Sequence, residues 1–410
     1  MQVLIVSQYY LPEPAKISVD VANEISGRGH TVRVLTAYPN YPMGRIYPGY
    51  RQRWRSIESH QGVELLRVPL FIDHSQSTIR RILNYATFAL TSASARKFAR
   101  HADVIYVYAT QMTPALGPWL WRMSGGAPYV LHVQDLWPDS ITGSSLSGGG
   151  PLTRLIERVL NPWITRVYRR ASAVIGIAPT MVETLIERGV PAERAELIYN
   201  WGPEEAYRNC DAEVHRAAKS IHTHLVYAGN IGDMQDLDTV IRAAVATEDE
   251  GILLTVIGEG VAKQRLIDLS HELGASNIVF RDAVSSDQIA DVYAGADFAL
   301  VTLKDLPAFR GTVPSKFQAA LAHRLPVITT VQGDVRNLTE LYGLGFTADT
   351  ESVDDLTIAF QKAALCSPQQ YAAMVAQTSS VTQQLFSRQA AIDRIEVVLR
   401  QAAEEGKIKT

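Results

Sequence analysis

The sequence predicts an α/β protein of two doubly wound, Rossmann-like domains. Three observations predict it. Short apolar runs repeatedly give way to a turn and then an amphipathic helix, the pattern of parallel strands covered on both faces. That pattern halts at the turn cluster Asn200-Trp-Gly-Pro203 and starts again at His224-Leu-Val-Tyr-Ala. Finally, 410 residues exceed one ordinary core and suit two domains of roughly 180–200 residues each.

Composition narrows the class. With 47% hydrophobic and 20% charged residues the chain has a soluble globular profile. Cys210 and Cys366 are the only cysteines, which excludes a disulfide framework or a cysteine-rich metal site and fits a reducing, cytoplasmic compartment. The run Val3 to Val6 is too short for a signal peptide, and no run approaches the roughly 20 apolar residues of a membrane span. Charge is divided unevenly: residues 1–200 carry 21 Lys/Arg against 14 Asp/Glu, net +7, and residues 201–410 carry 18 against 28, net −10. A basic first half is suited to an anionic membrane surface or a lipid phosphate, although solvated charge without function explains any single residue equally well.

The elements follow in order. Residues 2–6 form a buried strand, the Pro-rich loop 7–16 leads to a helix ending near Gly27, and residues 31–36 form the second strand. Gly-x-Gly-x-x-Gly is absent from the first turn and no acidic residue ends the second strand, so a dinucleotide site is excluded. The run 38–50, rich in Tyr, Pro and Gly, reads as an aromatic loop, either a wall for a sugar or a loop packed by its own tyrosines. Strands are expected at 63–69 and 103–108, with one Arg/Lys-bearing helix over 78–100.

The strand 129–133 delivers His132-Val-Gln-Asp-Leu-Trp-Pro-Asp-Ser140 at its carboxyl end, where open parallel sheets place their chemistry. His132, Asp135 and Asp139 are therefore candidate catalytic residues. The competing reading makes His132 a packed core histidine and Asp139 or Ser140 a turn cap. Residues 141–150, rich in Gly and Ser, read as a mobile loop. The helix 152–170 follows, with an expected kink at Pro162 and an apolar stripe set among arginines, as suits a core helix or an interfacial one. A strand at 173–177, a helix to Gly189 and a strand at 196–199 close the half.

In the second half the strands 224–228, 253–257, 277–280 and 298–303 alternate with helices at 236–246, 261–273 and 287–294. Glycine-bearing turns stand at Gly229-Asn-Ile-Gly232 and Gly258-Glu-Gly260. The stretch Phe309 to Ile328 then reads as loop, helix and buried strand. Pro314 is placed in the first helical turn, so the free N–H groups of Ser315 and Lys316 would project from the positive helix end beside an ammonium. That describes a phosphate site, and equally an ordinary capped helix with a solvated lysine. Helices at about 353–364, 368–376 and 382–404 complete the chain.

Taken together, Pro39-Asn-Tyr-Pro42 with Gly49-Tyr50, Asp135-Leu-Trp-Pro-Asp-Ser140, Gly229-Asn-Ile-Gly232, and Pro314-Ser-Lys316 before Pro326-Val327 form a set that runs almost end to end. The set resembles the family-four retaining glycosyltransferases, in particular bacterial O-antigen and exopolysaccharide enzymes of the N-acetylfucosaminyl type. The resemblance implies a GT-B fold, two Rossmann-like domains facing a cleft. Residues 1–200 with a returning C-terminal helix, about 382–404, would bind the acceptor, and 201–381 the sugar nucleotide. Lys316, with Pro314 and Ser315 at its helix start and with Gly229, Asn230 and Gly232, would hold the donor diphosphate. Gly258, Glu259 and Arg281 would border the base, and Lys16 could reach a phosphate. His132, Asp135 and Asp139 would orient sugar and acceptor.

The resemblance further implies a nucleotide-sugar co-substrate, expected to be a UDP-sugar, with no separate cofactor, no metal and no nucleic-acid partner. The acceptor would be a glycan or lipid-linked saccharide, met in the cytoplasm or by peripheral contact at the inner face of an anionic membrane. The chain departs from the family pattern in three respects. Two glutamates usual around the central helix are Gly311 and Ala319 here, the second being the one that normally takes the ribose hydroxyls. Pro14-Ala-Lys16 replaces a glycine pair in the first loop, and Gln235 replaces a lysine. Two other readings therefore stand beside the polysaccharide transferase: a transferase with a soluble acceptor or atypical donor, and a non-catalytic glycan- or nucleotide-binding homologue.

Overall fold

The computed structural model describes residues 1–73, 78–137, 151–202, 222–285 and 288–408. The expected turn residue Pro203, the loop 141–150, and the candidates Asp139 and Ser140 lie outside the described residues. The chain divides into two units, Met1–Asn200 with Ala391–Thr410, and Trp201–Ala390.

The first unit carries eight strands: β1 Gln2–Ser7, β2 Thr31–Ala37, β3 Ser56–His60, β4 Val63–Val68, β5 Val104–Ala109, β6 Tyr129–Val133, β7 Ala173–Gly176 and β8 Ala195–Leu197. Their order is β3-β4-β2-β1-β5-β6-β7-β8, parallel apart from β3, which pairs antiparallel with β4. The order reverses between β1 and β5, the switch point above which such sheets open a ligand crevice. Apolar runs such as Leu4, Ile5 and Val6, each 0% exposed, make the central strands, because helices cover both faces.

Edge strand β3 was not anticipated, since Ser-Ile-Glu-Ser-His alternates weakly and is mostly solvated. The helix expected over 78–100 is two, Thr78–Ala93 and Arg96–Ala99. A further helix, Leu116–Met123, also escaped the sequence reading, because Gly117 and Pro118 obscure its period. Gly117 lies where an added Cβ would meet Ala93 Cα at 3.1 Å, so the two helices pack closely. The helix Pro151–Arg170 continues through Pro162.

The helix Arg388–Ile408 belongs in part to the first unit. Ile392, Ile395, Val398, Leu399 and Ala402 bury one stripe at helical spacing. Arg28 bonds Asp393 at 2.7 Å and Glu396 at 2.8 Å, and His30 reaches the second oxygen of Glu396 at 2.8 Å.

The second unit has six parallel strands, β9 Thr223–Ala228, β10 Ile252–Ile257, β11 Ile278–Arg281, β12 Phe298–Val301, β13 Val327–Thr329 and β14 Gly345–Thr347, in the order β11-β10-β9-β12-β13-β14. Here the switch point falls between β9 and β12. One core cluster, including Leu225, Tyr227, Leu254, Phe298 and Ile328, joins the sheet to helices at Leu237–Ala246 and Val353–Ala364. Pro314 is the N-cap rather than a first-turn residue, with extended φ −61° and ψ 142°, and the helix Ser315–Ala322 starts after it. The helix Pro368–Leu385 is capped by Ser367 and Gln370 and runs well beyond the expected end at 376.

Candidate functional site

In the second unit the candidates gather on the carboxyl rim of β9 and β10. Gly229 follows β9 at φ +141°, and its N–H bonds Ile257 O at 2.9 Å. Gly258 and Gly260 face the same loop so closely that an added Cβ would sit 1.8 Å from Gly229 O and 2.1 Å from Ile231 O. Only glycine fits at either place, and both have positive φ. Ile231 N–H donates to Glu259 O at 2.8 Å, locking the two turns together.

Gln235, where the resemblance leads one to expect lysine, folds inward. Its Oε1 accepts the N–H of Gly232 at 2.9 Å and Nδ2 of Asn230 at 3.3 Å. Glu259 is exposed, and its carboxylate pairs with Lys263, which also bonds Asp282 at 2.7 Å. Arg281 is exposed at the end of β11, with its carbonyl accepting Gly258 N–H at 3.2 Å.

Lys316 lies in the first turn of the helix Ser315–Ala322, where backbone N–H groups lack intrahelical partners. Its side chain runs across Gly229, where a Cβ would come within 2.3 Å of Lys316 Cε. Nζ bonds the hydroxyl of Tyr227 and stands 4.3 Å from the centre of that ring. Burial lowers the lysine pKa to about 8, which leaves it mostly charged at neutral pH. A helix start, a glycine turn and an ammonium converge on one place, an arrangement suited to anionic oxygens. Among the described residues no group of three or more His, Cys, Asp or Glu could hold a metal ion.

Gly311 is buried at the end of the short helix Pro307–Arg310, and Ala319 is half-buried. Neither offers a polar side chain. Beside them Arg310 grips Asp305 with two bonds of 2.9 and 2.6 Å.

In the first unit the carboxyl end of β6 carries the second cluster. His132 is 0% exposed and its Nδ1 is paired with the hydroxyl of Tyr106, while Nε2 has no partner. Burial lowers its pKa to about 3, so it is neutral. The ring packs edge-on against Tyr106 and Tyr108, so any part it takes in orienting sugar or acceptor runs through those neighbours. Asp135 is exposed just beyond the strand. Surrounding protein nevertheless raises its pKa to about 6, and the water that still reaches the residue limits that penalty. Trp137 is buried against Tyr85, with its carbonyl accepting Arg188 Nη1 at 2.9 Å. Lys16 is exposed at the start of the helix Lys16–Gly27.

Two site features were missed in the sequence. Tyr227 reads as one more apolar strand residue, and only its hydroxyl betrays another use. Glu13, set between two prolines, reads as solvated; it is 1% exposed, and its Oε1 accepts the N–H groups of Asn40 at 2.7 Å and Tyr41 at 2.8 Å. Those bonds tie the loop after β1 to the aromatic loop, whose Tyr50 ring stacks on the guanidinium of Arg67 at 5.0 Å.

A glycosyl transferase 4-like domain matches residues 14–201 and a glycosyl transferases group 1 domain matches residues 215–379. WcaI of Escherichia coli strain K12, provisionally named a colanic acid biosynthesis glycosyl transferase, is 28% identical over 383 residues, covering 89% of this chain and 92% of WcaI. Among solved structures, WaaG, a glycosyltransferase involved in lipopolysaccharide biosynthesis, superposes with a TM-score of 0.65 at 18% identity, covering 96% of this chain and 99% of WaaG. HepE of Anabaena, solved with UDP and glucose, gives 0.65 at 16% identity, with 98% and 99% covered. Matched along both halves by these domains and sharing the two-unit Rossmann-like architecture, the chain belongs to the GT-B glycosyltransferases of the family-four, group 1 type.

Proposed function

We propose that the protein transfers a sugar, with retention, from a nucleotide sugar of the UDP type to a glycan or lipid-linked acceptor in cell-surface polysaccharide synthesis. The observation that carries this reading is Lys316, laid across Gly229 at a helix start with its ammonium unpaired by any carboxylate among the described residues. Its charge would meet the negative charge that grows on the departing diphosphate, the kind of interaction that strengthens in the transition state. In a retaining transfer the leaving phosphate itself takes the proton of the incoming hydroxyl on the same face of the sugar. The enzyme then supplies alignment and charge stabilisation more than a strong base. Gly229, Asn230 and Gly232 would complete the diphosphate cradle, and the turn 258–260 with Arg281 would border the base.

The first unit would take the acceptor, with Asp135 facing it and His132 as a positioning residue behind Tyr106 and Tyr108. WcaI and WaaG, by their names, serve colanic acid and lipopolysaccharide synthesis, which supports an acceptor of that kind. No described helix is long and apolar enough to cross a membrane. Contact with an anionic membrane surface is supported by a cavity of about 480 Å³ lined by Arg96, Lys97, Arg100 and Trp121, close in sequence to the exposed Leu120 and Met123.

Thermal-shift measurement against UDP, dTDP, GDP and CDP tests the donor assignment, since a ligand at 100 times its Kd adds about 2.7 kcal/mol. UDP should raise the melting temperature, and Lys316→Ala should abolish both that shift and sugar transfer while leaving the fold intact. Failure of every diphosphate to shift the protein would favour an atypical donor or a binding role, the readings that Gly311 and Ala319 keep in view.

A further inference from the structure

We propose that Tyr227 is the positioning residue for Lys316: its hydroxyl and ring hold the ammonium over Gly229 without neutralising it. The proposal rests on the reading that Lys316 serves the donor diphosphate, and it adds how a flexible lysine is aimed there. Three geometric facts carry it.

The first is the direction of the hydroxyl. Tyr227 OH donates to Asn230 O at 2.6 Å, so its proton is committed to the turn and its lone pairs are left for a donor. Lys316 Nζ is that donor. Burial raises the Tyr227 pKa further, so the phenol stays neutral and acts as a dipole rather than a counter-ion.

The second is the ring. Nζ stands 4.3 Å from its centre, within the range of a cation–π contact. Hydroxyl and ring together restrict a side chain with four rotatable bonds, whose freedom would otherwise oppose binding. A carboxylate in the same place would hold the lysine equally well and cancel the charge that a diphosphate needs.

The third is the space. Lys316 Cε passes where the Cβ of any residue other than glycine at 229 would lie, 2.3 Å away. Gly229 thus has two separate duties, a backbone at φ +141° and a channel for the lysine stem. Nζ meets Tyr227 from β9, and Tyr293 from the helix Ile289–Ala294 lies close enough to Tyr227 to influence its ionisation. No acidic side chain is paired with Nζ among the described residues.

Competitive labelling of the full chain with acetic anhydride across about pH 6 to 11, read at the Lys316 peptide by mass spectrometry, reports the titration of this one amine without any ligand. In Tyr227→Phe the ring remains and the acceptor is lost. Lys316 should then titrate at lower pH than in the parent while Lys263 and Lys304 do not move, and UDP binding should weaken about fivefold. An unchanged Lys316 titration in a folded Tyr227→Phe protein overturns the proposal. Should that variant fail to fold, Gly229→Ala decides instead. Its added Cβ should push the lysine into water, raising its titration towards that of an exposed lysine, and an unmoved titration would refute the positioning. If Lys316→Ala binds UDP like the parent, the diphosphate reading fails, whereas the labelling result still reports whether Tyr227 holds the lysine.

Discussion

The carboxylate of Glu13 accepts the backbone N–H of Asn40 at 2.7 Å, although Glu13 follows β1 and Asn40 follows β2. The same side chain also takes the N–H groups of Tyr41 at 2.8 Å and Tyr10 at 3.1 Å. One buried carboxyl group thus stands in for the secondary structure that two Pro-rich loops cannot form. It fixes the aromatic loop to the rim of the first sheet, where the acceptor is proposed to bind.

Glu13→Ala should therefore be costly. Each buried donor left without a partner costs about 1–3 kcal/mol, so urea denaturation should show a loss of at least that size. Proteolysis should open the segment 38–50 before the rest of the unit. A variant as stable as the parent would mean that water replaces the carboxylate at all three N–H groups.

Asp135 sets an expectation for pH. Its pKa is raised to about 6, so it carries its charge above that value and loses it below. If the ionised form orients the acceptor, transfer should decline as pH falls through about 6, and Asp135→Asn should lower the plateau and remove that limb. Initial rates of the two proteins from about pH 5 to 8 would show it. A parent profile that is flat through this range would exclude an essential Asp135 carboxylate.

Gly258 is a steric test of the donor rim. A methyl group there would lie 1.8 Å from Gly229 O, and the backbone has φ +149°. Gly258→Ala should separate the turns 229–232 and 258–260 and cost about 2–4 kcal/mol, the range of a strained, overpacked site. Nucleotide binding should fall more than acceptor binding, as calorimetry can separate.

Glu396 ties acid sensitivity to one helix. Its pKa falls to about 2, held down first by Arg28 and then by His30. The folded value lies below the ordinary 4.5, so its stabilisation is complete above about pH 4.5 and disappears as pH falls towards 2. Glu396→Gln should flatten the acid side of the stability curve in that window, measured by denaturant titration at several pH values, and should loosen the helix Arg388–Ile408 at neutral pH.

Much of this was legible in the chain itself, for physical reasons that differ by element. β1, β5, β9 and β10 are covered on both faces, so their residues are continuous apolar runs that admit one reading. β3 escaped because a solvated edge needs no such run. The helix Leu116–Met123 escaped because it draws stability from packing on the helix Thr78–Ala93, with Trp121 Nε1 donating to Ala93 O at 2.9 Å, which local propensity does not record. Lys316 stood out because Pro-Ser marks a helix start and sets an ammonium beside free N–H groups, a pattern that an ordinary capped helix shares. For His132 the strand position left both an orienting role and a packed core histidine open, since it does not say what packs against a side chain on the rim; here Tyr106 and Tyr108 do. Glu13 and Tyr227 act through atoms whose partners lie far away in sequence or belong to backbone, and no local pattern encodes them.

The first unit is assembled from two separated stretches, Met1–Asn200 and Ala391–Thr410, with the whole second unit between them. During synthesis, therefore, the second unit can close while the first still waits for the segment holding Ile392, Ile395 and Leu399. For about 190 residues of elongation, on the order of ten to forty seconds at ordinary translation rates, the nascent first unit exposes the apolar groove meant for that helix. A premature stop after Ala390 would damage the domain made first and spare the one made second.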